Sequence, residues 1–203
     1  MTNTTITPTR RNYRWRVVDI VVASVIGVAS GVIFWAWGLA WTPLSALLSF
    51  TPGLEGILAG GWLFAGVLGG LVIQKPGAAL YTEIMAAVVS MLIGTQWAFL
   101  TLVWGVIEGL GAELVFALFL YVNWRLGAAL LAGAGAGVAV GLLDTNFTSY
   151  AALAFSAKAI YFGAAVVSGI VVAGLLSWLA LRALAGTGAL GRFASGRQAS
   201  VQA

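Results

Sequence analysis

Six apolar stretches of roughly membrane-spanning length lie between Val17 and Leu184, separated by short polar turns. A spanning helix needs about 20 predominantly apolar residues. The bilayer core holds no water, so each such stretch must satisfy its backbone hydrogen bonds internally, as a helix. A water-soluble fold is excluded by composition. Only 8% of residues are charged and 61% are hydrophobic, whereas soluble domains carry about 25% charged residues. The expected architecture is all-α: a polytopic membrane protein with a six-transmembrane-helix bundle.

The turns set the expected boundaries. Residues 1–16 form a basic arm, 17–185 the six-span membrane domain, and 186–203 a disordered Gly/Ser/Arg-rich tail. Span 1 covers Val17–Trp41, and Thr42-Pro43 opens an outer connection reaching Pro52-Gly53, with room for an interfacial helix at Leu44–Phe50. Span 2 covers Leu54–Ile73. Lys75-Pro76-Gly77 is a tight turn, since proline ends one helix and suits the first turn of the next. Span 3 covers Ala78–Ile93, span 4 Trp97–Tyr121, span 5 Leu126–Leu143 and span 6 Ala159–Leu184. Span 1, about 25 residues long, exceeds the 7–15 apolar residues of a secretion signal.

Six spans put both termini on one side of the membrane. Arg10, Arg11, Arg14, Arg16, Lys75, Arg125, Arg182, Arg192 and Arg197 then share that side, and only Lys158 lies opposite. Lys and Arg stay cytoplasmic, so both termini are expected inside the cell, in the plasma membrane. Bases at the chain ends are topology signals, and no basic stripe with interleaved aromatics points to nucleic acid.

Several chemistries are excluded. The sequence has no cysteine and no histidine, which removes thiolate chemistry, the commonest metal ligand and the commonest general base. No metal site, cofactor or catalytic residue is expected, and the chain is not read as an enzyme. Gly186 to Gly191 spell GxGxxG, but they follow a membrane helix instead of a strand, so the dinucleotide reading fails. No Walker A motif is present, so the chain does not power transport itself.

The informative residues are acids inside the apolar stretches. Glu83, Glu108 and Glu113 lie in spans 3 and 4. A carboxylate at mid-membrane costs on the order of 3 kcal/mol, and such residues normally face a cavity, a partner or a substrate. Glu55 and Trp62 share a face of span 2, and Glu83, Ala87 and Ser90 a face of span 3. In span 4, Thr101, Trp104, Glu108 and Gly111 share one stripe, while Gly105, Gly109 and Glu113 follow another. Glu113, behind small residues, reads as structural. Gln96 and Trp97 cap the outer end of span 4. Asp144, at the outer end of span 5, reads as a solvated loop acid in preference to a lid residue. Acids with few internal bases, set among tryptophans, suit a cationic aromatic ligand, since Trp is the best cation–π partner. Stripes of small residues recur at Ala23/Gly27/Gly31, Gly133/Gly137/Gly141 and Ala165/Gly169/Ala173. They permit close helix approach, and the latter two are expected to pack within the bundle.

Lys75-Pro76-Gly77-Ala78-Ala79-Leu80, Glu83 with Ala86-Ala87, Gln96-Trp97, Gly109-Leu110-Gly111-Ala112-Glu113, and Glu55 with Gly60 and Trp62 resemble the YkoE family. That family supplies the substrate-capturing S components of energy-coupling-factor (ECF) vitamin importers, which are six-span proteins. The sequence departs from the family pattern in Glu108, where glutamine is favoured, and in Ser90, often an acid. The resemblance implies thiamine or its hydroxymethylpyrimidine precursor as substrate. Glu55, Trp62, Glu83, Ser90, Gln96, Trp97, Trp104 and Glu108 are the candidate contacts. It also implies docking on a transmembrane coupling protein driven by two ATPase domains, with Ala23, Gly27 and Gly31 as the docking face. The competing reading is a stand-alone channel or facilitator for a small cationic solute, which requires a continuous polar path.

Overall fold

The computed structural model describes residues 13–191 and 193–196, and all regular structure in this range is helical. Helix α1 is Val17–Leu48, α2 Gly60–Ile73, α3 Ala78–Ile93, α4 Leu100–Leu118, α5 Leu126–Phe147, α6 Phe155–Ser168 and α7 Ser177–Gly186. A π-helical stretch, Gly169–Leu176, joins α6 to α7, so residues 155–186 form one 32-residue rod. Short 3-10 turns at Leu54–Leu58 and Ser149–Ala152 lead into α2 and α6. Five helical segments are long and apolar enough to cross a membrane, and α3, with 16 residues, is a shorter sixth. The chain is a multi-pass membrane bundle, as its hydropathy requires.

Helix α4 is shorter at both ends than the expected Trp97–Tyr121, α6 begins at Phe155 instead of Ala159, and three further differences bear on the packing. Helix α1 continues through Pro43 to Leu48 instead of ending at Trp41. The proline ring lies on the exposed side of the helix, where it meets no neighbouring helix. Helix α5 runs one turn further, to Phe147. Its last polar residues bond backwards: Thr145 Oγ1 donates to the Gly141 carbonyl, Asn146 Nδ2 to Leu142 and Thr148 Oγ1 to Asp144. Hydroxyl and amide groups thus serve carbonyls at the helix end, where the backbone offers few donors. The third difference is the tail. Leu190, Phe193 and Ser195 are buried, and Ser195 Oγ donates to the Val72 carbonyl at 2.8 Å. Residues 186–189 are exposed, while the tail from Leu190 packs onto the bundle, with Ser195 on α2. Residues 1–12, 192 and 197–203, with Arg10, Arg11, Arg192 and Arg197, lie outside the described residues.

Helix α2 is the centre of the bundle. Leu63, Val67, Leu71 and Val72 are essentially fully buried. Glycines set how closely its neighbours approach. Gly133 on α5 lies against the Gly169 carbonyl, and a Cβ on Gly137 would sit 2.6 Å from the Ala165 carbonyl. The small-residue stripes of spans 5 and 6 therefore face each other, as expected.

The span 1 stripe requires a correction. Ala23, Gly27 and Gly31 are all buried. A Cβ on Gly27 would lie 2.5 Å from the Met85 Cβ, and one on Gly31 2.7 Å from the Ala86 carbonyl. Helix α3 covers the stripe, so it is an internal seam and not a free docking face. The opposite side of α1 carries Val21, Val25, Val28 and Val32, all exposed, as a lipid-facing surface would be. Gly27→Leu should accordingly damage the fold itself. Overpacking of this kind costs about 1–3 kcal/mol. The purified variant should show a lowered unfolding temperature, whereas Val25→Leu on the exposed side should not. Equal unfolding temperatures for Gly27→Leu and the parent protein would return the stripe to the surface.

Candidate functional site

Acids at the Lys75 end have partners. Asp19, fully buried in the first turn of α1, pairs with Arg16 at 2.8 Å and with Lys75. The Arg16 guanidinium, beside that carboxylate, is held above its usual range chiefly by their hydrogen bond. Lys75 Nζ also donates to the Arg14 carbonyl at 2.6 Å. Glu113 accepts from the backbone N–H groups of Gly77 (2.6 Å), Ala79 (2.9 Å) and Leu80 (3.3 Å). A carboxylate at a helix N-terminus satisfies donors that have no intrahelical partner and complements the helix dipole. Glu113 thus caps α3, which agrees with its structural reading. Tyr121 donates to Glu113 at 2.9 Å, and burial with that bond pushes its phenol up to about 12.

Near the opposite end a cavity of about 300 Å³ opens between α1, α2, α3, α4, α5 and α6. Trp41, Trp62 and Trp97 form one wall, with ring centroids 5.4 Å apart for Trp41–Trp62 and Trp62–Trp97. The Trp62–Trp97 planes are perpendicular, at 90°. Trp62 is held by its indole N–H, which donates to the Phe34 carbonyl at 3.1 Å. Behind it, Trp37 donates to the Leu58 carbonyl at 3.0 Å. The facing wall carries Tyr150 and Tyr161, whose rings are 4.4 Å apart. Burial first, then the charges of Glu55 and Asp144, raise the Tyr150 phenol above its ordinary range, so it stays a hydrogen-bond donor.

The polar part of the cavity is acidic. Asp144 Oδ1 accepts from Trp104 Nε1 at 2.8 Å, and Oδ2 from the Tyr161 hydroxyl at 2.5 Å. Three helices, α4, α5 and α6, are thereby joined at one carboxylate. Glu108 lines the cavity on α4 and takes no hydrogen bond from the described residues. Thr101, two turns above it, presents a buried hydroxyl that is also without a partner among the described residues.

Trp62, Trp97, Trp104 and Glu108 are thus brought together in the cavity wall. Glu83 lies buried behind it, its Oε2 accepting from the Gly66 N–H at 2.5 Å. Ser90 is buried on α3 outside the lining. Gln96 braces the α3–α4 turn through a 3.4 Å bond to the Gly38 carbonyl. Glu55 folds back on its own turn, accepting from the Gly53 N–H at 3.0 Å. Of the eight expected contacts, Glu55, Glu83, Ser90 and Gln96 do not reach the cavity wall.

Sequence reasoning missed Asp144 and Tyr161, and placed Asp144 in solvent. The correction follows from the extra turn of α5, which carries Asp144 on a helix face instead of a loop. Its position four residues after Val140, another cavity residue, was the available signal.

Sequence and structure comparisons place this architecture. Residues 18–139 match a family described as the permease component of an ABC-type cobalt transport system. The chain is 34% identical over 186 residues to the putative HMP/thiamine permease protein YkoE of Bacillus subtilis (strain 168), covering 91% of this chain and 92% of the relative. A crystal structure of an S-component of an ECF transporter superposes with a TM-score of 0.86 at 32% identity, over 93% of this chain and 95% of that one. The bundle is therefore of the ECF S-component type, a non-enzymatic transport subunit. More narrowly, the chain belongs to the YkoE family. The sequence lacks His and Cys, and among the described residues no three acids converge on a metal position.

The clamp on Asp144 is testable without a ligand. A hydrogen bond to a charged group contributes about 1.5–3 kcal/mol. Tyr161→Phe should lower the thermal unfolding midpoint of the purified protein, and Trp104→Phe should do likewise. Because both act on one carboxylate, their effects should not add in the double variant. Strict additivity would show that Asp144 does not join the three helices.

Proposed function

We propose that the chain is the substrate-capturing S component of an ECF-type ABC importer, taking thiamine or its hydroxymethylpyrimidine precursor from outside the cell. The observation that carries this is the pairing of Glu108 and Asp144 with a wall of tryptophans in one cavity. The carboxylates offer acceptors to an exocyclic amine or a cation, and the indole faces offer cation–π and stacking partners. The name of the YkoE relative supports the substrate class. The protein would work with a transmembrane coupling protein and two ATPase domains, since no nucleotide-binding motif lies in its own sequence.

The charge distribution supports an orientation in a bacterial plasma membrane. Arg14, Arg16 and Lys75 gather at one end through the Lys75–Arg14 and Arg16–Asp19 contacts, and Arg125 and Arg182 follow by span parity. Keeping these bases cytoplasmic puts both termini inside and opens the cavity outward.

The experiment is a titration of intrinsic tryptophan fluorescence with thiamine, the pyrimidine alcohol, riboflavin and biotin. The first two should quench it and the last two should not. Glu108→Gln should weaken thiamine binding by about 10–150-fold, the equivalent of one hydrogen bond to a charged group. Glu55→Gln, away from the wall, should bind as the parent does. A response to riboflavin or biotin alone would refute the substrate assignment.

A further inference from the structure

Glu83 is the one membrane-embedded acid whose role is not explained by capping, pairing or a place in the cavity wall. It is 1% exposed, and only one of its oxygens has a partner: Oε2 accepts from Gly66, while Oε1 meets no donor among the described residues. Its position is tied to Glu108. A Cβ on Gly109, the residue next to Glu108, would lie 3.0 Å from the Glu83 Cβ. Ala87, one turn along α3 from Glu83, is part of the cavity wall. Glu83 therefore lies behind the cavity wall, where α4 packs on α3 at the residue following Glu108.

The groups facing this pair are known from every element packed on it. Helix α5 supplies Asp144, helix α6 Tyr161 and the turn before it Tyr150. Helix α2 supplies only the Gly66 N–H, and α1 contributes Phe34 and Trp41. No base faces the pair from these elements among the described residues, and both ion pairs found among those residues go to Asp19 at the other end. Two adjacent carboxylates without a base, in a medium of low polarity, cannot both remain charged at low cost.

We propose that Glu83 and Glu108 act as one proton-sharing carboxyl pair, so that capture of a cationic ligand at Glu108 releases a proton to the outside. This rests on the substrate reading only for the choice of ligand. In the empty site one proton is carried as an O–H on one of the two carboxyls while the other is ionised. When the ligand's positive charge or N–H donor arrives, that O–H bond breaks, Glu108 accepts from the ligand, and the proton leaves through the cavity mouth. The ligand's charge replaces the proton's, so the net charge of the site is kept. Glu83 is a positioning residue: it acts through Glu108 and does not touch the ligand.

Two measurements on the full-length protein in detergent test this. Infrared difference spectra of the ligand-free protein separate the carbonyl stretch of a protonated carboxyl from carboxylate bands. Such a band should be present at neutral pH and should be lost or shifted in both Glu83→Gln and Glu108→Gln, with Glu83→Asp retaining it. Its absence, or its insensitivity to either Gln variant, overturns the proposal whether or not any ligand binds. The second measurement is calorimetric titration with thiamine in buffers of different ionisation enthalpy. The parent protein should release between half a proton and one proton per thiamine bound, and Glu83→Gln should release less than half as much, with a flattened pH profile of affinity. Thiamine binding without buffer dependence overturns the proton-sharing pair and leaves the transport reading standing. If thiamine does not bind, the substrate assignment fails while the infrared result still decides the pair.

Discussion

Every charge placed inside this bundle has to be answered from within it. In a lipid environment no solvent is available to hydrate a stray carboxylate, and the chain meets this demand differently at its two ends. At the Lys75 end the answers are local and complete. Asp19 has Arg16 and Lys75, and Glu113 has three N–H groups of α3 with Tyr121. Toward the other end the answers are partial. Asp144 has neutral donors but no base, Glu83 has one N–H, and Glu108 has only the cavity. This asymmetry separates an end whose acids are fully partnered from an end whose acids lie in or behind the cavity wall.

The position of those acids depends on how closely α3 is approached. Gly27 and Gly31 let α1 lie against one side of α3, and Gly66 and Gly69 bring α2 against another. Gly105 and Gly109 let α4 lie on a third side, over Ala87 and Glu83. The stripe Gly105–Gly109–Glu113 is therefore the α3-facing seam of α4, and the cap made by Glu113 lies at the end of that seam. The neighbouring stripe, Thr101–Trp104–Glu108, is rotated into the cavity by the same contact. A side chain at Gly105 or Gly109 would separate the helices and move Glu108 away from Glu83. Close packing and the binding chemistry are thus one geometric fact.

Helix existence and type were legible because hydropathy dictates them, and α3 matches its expected limits, Ala78–Ile93. The two-stripe reading of α4 was also legible, because 3.6-residue periodicity places side chains without knowledge of the partner helix, except at Gly111, which packs on Gly135 and Ala136 of α5 instead of lining the cavity. What local pattern could not supply was which neighbour each face meets. Ala23, Gly27 and Gly31 look the same in sequence whether the helix they meet is α3 or another protein. Asp144 looked like a loop acid because Asp, Thr and Asn usually end helices. Here their side chains close the last turn by back-bonding to Gly141 and Leu142. Tyr161 carried no signal of its own, since its role depends on an acid 17 residues earlier on a different helix.

The same geometry bears on how such a subunit can work. A channel needs a polar route from one face to the other. Below Glu108 and Glu83 the centre of this bundle is filled by Val67, Leu71 and Phe116, each no more than 1% exposed. Gly70 is packed under the Phe116 ring, where a Cβ would come within 2.6 Å of the ring edge. The acids beyond this plug, Glu113 and Asp19, are both already committed to their own partners. A ligand held at Glu108 therefore has contacts on its own side of the bundle and none offered toward the other. In this conformation the structure favours capture over conduction, and inward release requires rearranging the packed helices, which is work a partner with an energy source would have to do.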